Sequence, residues 1–451
     1  MIGRIPATGD DNVQQPPQLR RDLGLTHAML TVIGTVIGSG IFALPAVVFA
    51  RAAAPGLGIA SWLIGGLISL AAALTVAELS AAMPTAGGTY QFLRAAYGPW
   101  LGFLQGWAMF LAYNSAMQAA LAMIFTTYLS ALIPISPATQ TIIGIILILL
   151  LTAVNALGVR FGGFIQVIST LGKLVPIALL ILFGLTRIDT ANLVPFMPTD
   201  GGLFTALGGA LLPVLWAYDG WIVTGQLSEE VRNPQRTIPL ALIGGIALVT
   251  VIYTIFNVVL AGAIPMDALT ASEKPVIPLA ALLFGEGGAK LITVGMLVSM
   301  FGTLNAIVMT APRYTYAMAR DGLFPGAKVL SQLHPRYQTP VPALVISCAW
   351  SIILLLSGTF GQLLNLVVFV GWLFYVFVMA GVFILRRTRP EMDRPYKAWG
   401  YPVVPLIGIG SGIWLLINTA VTDPKTAFIG LGLTLTGLPV YMYLKRNQKT
   451  A

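Results

Sequence analysis

Apolar stretches of about twenty residues, the length that crosses a bilayer as a helix, follow one another along nearly the whole chain. Hydrocarbon offers no water to satisfy backbone amides and carbonyls, so runs of this length read as helices. Twelve are recognised: 25–51, 57–80, 98–129, 138–157, 163–186, 203–229, 238–263, 289–316, 341–358, 362–386, 401–420 and 425–444. The expected fold is an all-α integral membrane protein with twelve transmembrane helices. Composition agrees, because 57% of the 451 residues are hydrophobic and only 9% are charged. A soluble chain of this size needs far more polar surface.

The first stretch carries a peculiarity at its middle. Gly34, Gly38 and Gly40, with Ser39 between the last two, are poor material for an unbroken helix, since Gly costs roughly 1 kcal/mol relative to Ala. A break inside lipid frees amides that need a partner. Amides freed at the start of a half-helix suit a carboxylate. The sixth stretch repeats the oddity in Trp216-Ala217-Tyr218-Asp219-Gly220-Trp221, an acid and a glycine at mid-membrane. Interrupted helices at corresponding places in two halves point to inverted repeats with a midplane site. Close helix packing through Gly38 and Gly40 is the plainer alternative. Asp219 in the second break favours a transport site.

Lys173 lies near the middle of the fifth stretch. An unpaired lysine there costs at least roughly 2.5–3.5 kcal/mol, so it is expected to face a polar interior. Two roles stay open: a fixed cation gripping backbone carbonyls of the first and eighth stretches, or a group that gives up its proton during transport. Its depth argues against snorkelling. Asp219 either accepts from the loosened backbone of its own break or offers its carbonyl to a ligand. Glu229 and Glu230, beside Arg232 and Arg236, are candidate gate partners, and Glu78 is expected at an interface. Asn114 and Gln118 share one face of the third stretch, with Tyr113 beside them; Tyr253 and Asn257 share one of the seventh; Thr303 and Asn305 lie in the eighth. Such groups serve interhelical hydrogen bonds more often than ligands, but Asn114, Tyr253 and Asn305 are kept as pocket candidates.

Lysine and arginine placement orients the chain. With the N-terminus inside, Arg51, Arg187, Lys274, Lys290 and Lys425 fall outside and Lys173 within a span; the remaining basic residues face the cytoplasm. The formal charge of +9 is thereby a topology signal rather than a nucleic-acid footprint. Residues 1–22 read as a loosely ordered cytoplasmic tail, with no cleavable signal peptide, and 446–451 as a second tail. Cys348 is the single cysteine, and His27 and His334 lie far apart. No catalytic triad, metal cluster or phosphate loop is recognisable; Gly172-Lys173 is followed by Leu174 rather than Ser or Thr. An enzyme is not expected, nor a metal or cofactor.

Five motifs in order carry a family resemblance. They are Gly34-Thr35-Val36-Ile37-Gly38-Ser39-Gly40-Ile41-Phe42; Pro84-Thr85-Ala86-Gly87-Gly88-Thr89-Tyr90 with Ala96-Tyr97-Gly98; and the run from Glu229 through Arg232-Asn233-Pro234 to Pro239. Ala319-Arg320-Asp321-Gly322-Leu323-Phe324-Pro325 follows, then Arg394-Pro395-Tyr396-Lys397 with Trp399-Gly400-Tyr401-Pro402. Over about residues 22–400 the chain resembles the amino acid–polyamine–organocation superfamily, most of all its L-type amino acid transporter branch and bacterial relatives.

The resemblance implies a five-plus-five inverted repeat, LeuT-like, with broken helices 1 and 6. The first repeat would occupy 23–186 and the second 203–386, with two added helices in 387–445. It implies that a substrate carboxylate meets the amides of Ser39, Gly40 and Ile41, and that the ammonium meets carbonyls at Val36, Trp216 and Asp219. Ile37 and Ala217 complete these two breaks. Trp216 stands where many relatives carry a gating phenylalanine, which favours small neutral substrates. Lys173 matches a lysine of sodium-independent relatives. The animal members bridge to a heavy chain through a cysteine between spans three and four. The loop from Ser130 to Thr139 has none, so no disulfide-linked partner is expected, and a prokaryotic plasma (inner) membrane is. The expected function is sodium-independent exchange of small or neutral L-amino acids by alternating access, with proton-coupled symport or a transporter-like sensor as alternatives.

Overall fold

The computed structural model describes residues 24–83, 88–199, 202–222 and 231–450. The expected tail 1–22, the gate candidates Glu229 and Glu230 and the motif residues 84–87 lie outside the described residues. Among those described, every regular element is helical. Nine helical segments are long and apolar enough to cross a membrane, and two shorter apolar helices accompany them, Leu203–Ala217 and Val341–Ser357. The chain is thus a polytopic helical membrane protein.

The first crossing is three pieces: α1 (Leu25–Val36), α2 (Gly40–Ala43) and α3 (Pro45–Ala52). Ile37 turns out of the helix at φ −70° and ψ 97°. Pro45 has no N–H to continue the ladder, so α2 passes into α3 across a second irregularity. There follow α4 (Pro55–Ala82), the short α5 (Thr89–Tyr97), α6 (Pro99–Ala108), a π turn over Met109–Asn114, α7 (Ser115–Leu129), α8 (Pro137–Ala156) and α9 (Val159–Gly184). Next come α10 (Leu203–Ala217), α11 (Pro234–Ala263), α12 (Met266–Thr270), α13 (Val276–Thr310), α14 (Pro312–Arg320), α15 (Ala327–Leu330), α16 (Val341–Ser357) and α17 (Phe360–Thr388). The last are α18 (Val403–Thr422), α19 (Pro424–Leu435) and α20 (Gly437–Thr450). Many crossings open on proline at the first helical turn, where its missing N–H costs nothing. α17 opens on a capping box between Thr359 and Gln362.

Several spans differ from the sequence expectation. The eighth was expected from 289, but α13 begins at Val276 and is divided at Gly285, whose φ of 68° only glycine adopts freely. The apolar residues before Gly285 are too few to register as a span. The twelfth stretch is split at Thr436 between α19 and α20. α5 carries Arg94 and falls outside every expected stretch, while α14 begins inside the eighth, which was expected to run to 316.

The helices form two packed groups. α1 lies on α11, α3 on α10, and α4 on both α10 and α11. In the second group α7, α8, α13 and α16 pack on one another. α9 lies along α13, while α17 contacts α7, α10 and α18. Glu78, expected at an interface, is buried at 1% exposure near the end of α4. Arg386 grips it twice, Nε to Oε1 at 2.9 Å and Nη2 to Oε2 at 2.6 Å. Arg394 lies at 3.4 Å and the Ala398 amide donates at 2.7 Å. A carboxylate with this many charged donors can be carried inside protein, where an unpaired one cannot.

Candidate functional site

The two interruptions meet. A Cβ placed on Gly40 would lie 2.8 Å from the Ala217 Cβ, and one on Gly38 would lie 3.3 Å from Thr303 Cγ2. The glycines therefore permit close packing and also sit in a break. α10 stops at Ala217: the Tyr218 amide bonds to Val214 at 3.0 Å and the Asp219 amide to Trp216 at 3.1 Å. Gly220 then takes φ +106°, and a Cβ there would sit 2.7 Å from the Thr35 carbonyl oxygen. Only glycine fits both demands.

At the start of α2 the amides of Phe42 and Ala43 bond back to the Ser39 carbonyl at 3.1 and 3.0 Å. The amides of Ser39, Gly40 and Ile41 find no backbone acceptor among the described residues. Ser39 Oγ, Asn114 Nδ2 and Trp216 Nε1 are also buried without a hydrogen-bond partner there. All three of these residues line one cavity of about 780 Å³, counting the space open toward solvent, together with Val36, Gly40, Ala217 and Asp219. Thr89 and Tyr314, from α5 and α14, line it as well. Trp216 meets Phe360 edge-on, ring centroids 6.4 Å apart. That pair stands between this cavity and a second hollow lined by Tyr128, Ser272, Glu273 and Phe360.

Asp219 is held by side chains far away in sequence. The Tyr113 hydroxyl donates to Oδ2, the Tyr375 hydroxyl to Oδ1 at 2.8 Å, and its neighbour's amide, Gly220, also to Oδ1 at 2.8 Å. The carboxylate thus serves the loosened backbone, one of the two roles the sequence left open, and it ties α10 to the π turn and to α17. Its described partners are all neutral.

Five sequence candidates lie off the cavity. Ile37 and Ile41 are fully buried in the apolar core. Lys173 is fully buried in α9 and donates from Nζ to the Gly34 carbonyl at 2.7 Å. That is the first-span half of the expected grip; no bond to the eighth span accompanies it among the described residues. Tyr253 is also fully buried, its hydroxyl 3.0 Å from the Val36 carbonyl and 3.2 Å from that of Ala217. Asn305 is spent between helices, accepting from Asn155 Nδ2 at 2.9 Å. Sequence reasoning did not single out Tyr128, whose hydroxyl donates to Phe42 at 2.5 Å and satisfies a carbonyl near the α2–α3 junction. Nor did it single out Tyr375 or Phe360. Nothing local marks these aromatic residues; their partners lie on other helices.

The chain is similar to known proteins over nearly its whole length. The chain is 36% identical to the serine/threonine exchanger SteT of Bacillus subtilis (strain 168), over 95% of this chain and 98% of that one. It is 33% identical to the human large neutral amino acids transporter small subunit 2, over 94% of this chain and 80% of the relative. The human cystine/glutamate transporter is 30% identical over 97% and 88% respectively. A family model described as amino acid permease matches residues 23–438. The chain belongs to the amino acid permease family.

Proposed function

We propose that this protein is a sodium-independent amino acid exchanger of a bacterial plasma membrane, acting on small or neutral L-amino acids. The observation that carries the reading is the break of the first crossing abutting the end of α10 at Gly40 and Ala217 over a cavity, with amides at Ser39, Gly40 and Ile41 that have no backbone acceptor among the described residues. The α-carboxylate binds those amides and the positive end of α2. The ammonium lies toward the carbonyl ends of α1 and α10, where the helix dipoles are negative. Both are features of every α-amino acid, so this cradle reads the class and not the side chain. Asp219 positions the break, since its carboxylate is already engaged by three donors.

Twelve crossings with both termini cytoplasmic fit the basic-residue bias. The two packed groups pair spans one, two, six and seven, and spans three, four, eight and nine; such pairing at an offset of five supports two repeats, 23–186 and 203–386, with 387–445 added. Trp216 with Phe360 is the outer gate, and rocking of the first group against the second alternates access. Lys173 supplies a resident cation at Gly34 in place of sodium. The names of relatives as an exchanger and as transporters favour exchange; the loop from Ser130 to Thr139, which has no cysteine, argues against a disulfide-linked heavy chain.

Purified protein in liposomes preloaded with an unlabelled neutral amino acid should accumulate the labelled one with sodium absent on both sides. Uptake only under a sodium gradient would sink the coupling claim. A Lys173→Met protein should lose exchange, and added sodium should not restore it. Loss of proton-driven accumulation with counterflow intact would instead favour symport.

A further inference from the structure

We propose that Asn114 is a specificity-determining residue that selects amino acids whose neutral side chain carries a hydroxyl. The inference rests on the transport reading above and adds what the backbone cradle lacks, a means of reading the side chain. Asn114 closes the π turn of Met109–Asn114. A π turn adds a residue to the helical turn and redirects side chains, and such turns are common at functional sites. The side chain is 7% exposed and lines the same cavity as Ser39 and Trp216, yet Nδ2 has no partner among the described residues. A buried amide donor left unpaired is costly. Gln118, one turn onward, lies off this cavity: its Oε1 accepts from Ser351 at 3.1 Å, and its Nε2 also lacks a partner among the described residues. What sets Asn114 apart is that its unpaired donor lines the cavity.

The surroundings narrow the chemistry. Both oxygens of Asp219, the acidic side chain on this cavity, accept hydrogen bonds from Tyr113, Tyr375 and Gly220. No lysine or arginine lines the cavity among the described residues. A charged substrate side chain would meet no counter-ion there. Next along the third crossing, Met117 and Leu121 offer apolar wall. An amide both donates and accepts, and so does a hydroxyl. The two match in either orientation of the amide. A site built to bond a hydroxyl rejects the isostere that lacks it, because its own polar group stays unpaired.

Threonine and valine are isosteric and differ in this group alone. In liposomes preloaded with threonine, unlabelled threonine should inhibit labelled-threonine counterflow at least about tenfold more potently than valine. Serine should outcompete alanine in the same direction. An Asn114→Leu protein should bring threonine and valine within about twofold, and Asn114→Gln should keep part of the preference. Equal competition in the unaltered protein overturns the assignment. So does an Asn114→Leu protein that exchanges and keeps the wild-type ratio. If that variant fails to fold, the threonine–valine and serine–alanine comparisons in the unaltered protein decide alone. Exchange of some other amino acid with threonine excluded overturns the assignment but leaves the transport reading standing. Liposomes that exchange no common amino acid sink both.

Discussion

The hydroxyl of Tyr253 reaches the Val36 carbonyl at 3.0 Å, and the same oxygen lies 3.2 Å from the Ala217 carbonyl. One side chain of α11 thereby clasps the ends of both interrupted helices. Each carbonyl keeps a second lone pair, so the clasp and an ammonium can share them.

Tyr253→Phe removes the clasp, and with it the one hydroxyl proton that the two buried carbonyls share. A stability loss of about 1–3 kcal/mol is expected, seen as a lower unfolding temperature in detergent, together with slower exchange. An unchanged unfolding temperature would show that the hydroxyl contributes nothing there.

Asp219→Asn keeps the shape but turns one acceptor oxygen into a donor. It then faces Tyr113, Tyr375 and the Gly220 amide with one acceptor fewer. Exchange rate should fall by more than the apparent substrate affinity, because the wild-type carboxylate is engaged by the protein. Measured in counterflow, a loss confined to affinity would instead make Asp219 a direct ligand.

Glu78→Gln leaves Arg386 and Arg394 facing a neutral amide at a site where the carboxylate is 1% exposed. Breaking a buried charge pair by removing one partner costs about 3 kcal/mol or more. A marked fall in unfolding temperature is expected, with Glu78→Asp milder. Equal stability of the wild type and Glu78→Gln would contradict the burial.

Asp423 caps α19, accepting from the Thr426 amide at 3.2 Å and from Asn365 Nδ2 at 2.9 Å. Partial burial pushes its carboxyl up, but the bonds from Thr426 and Asn365 and the charge of Arg51 outweigh this and hold it below the usual carboxylate range. A carboxyl depressed in the folded state stabilises above its unfolded value of about 3.9 and loses that contribution as pH falls further. The unfolding-temperature gap between wild type and Asp423→Asn should therefore be present at pH 7 and close in acid, once pH falls below the ordinary carboxylate range and through the depressed folded value. A gap independent of pH would mean the cap acts without its charge.

The break in the first crossing and the end of α10 were legible in the sequence because each carries residues that a membrane helix avoids, Gly38-Ser39-Gly40 in one and Asp219-Gly220 in the other. The long spans were legible because lipid demands a continuous apolar run. The ion pairs of Glu78 were not legible since its partners, Arg386 and Arg394, lie more than 300 residues on. Tyr253 and Asn305 passed as pocket candidates because composition marks a polar residue in a span but not which neighbour takes its hydrogen bond. α5 was missed because a short helix bearing arginine has no hydropathy signal. The π turn was missed for a different reason: its residues have the composition of any helix, and only the ladder reveals the added one.

That turn has a practical corollary for anyone editing this chain. Deleting one amino acid between Met109 and Asn114 would let the rod close up as an ordinary α-helix while the helix on either side keeps its bearing, because the turn already absorbs one extra residue. Tyr113 and the amide beside it could no longer both point where they do, so a change of length here alters the cavity wall and spares the rest of the crossing.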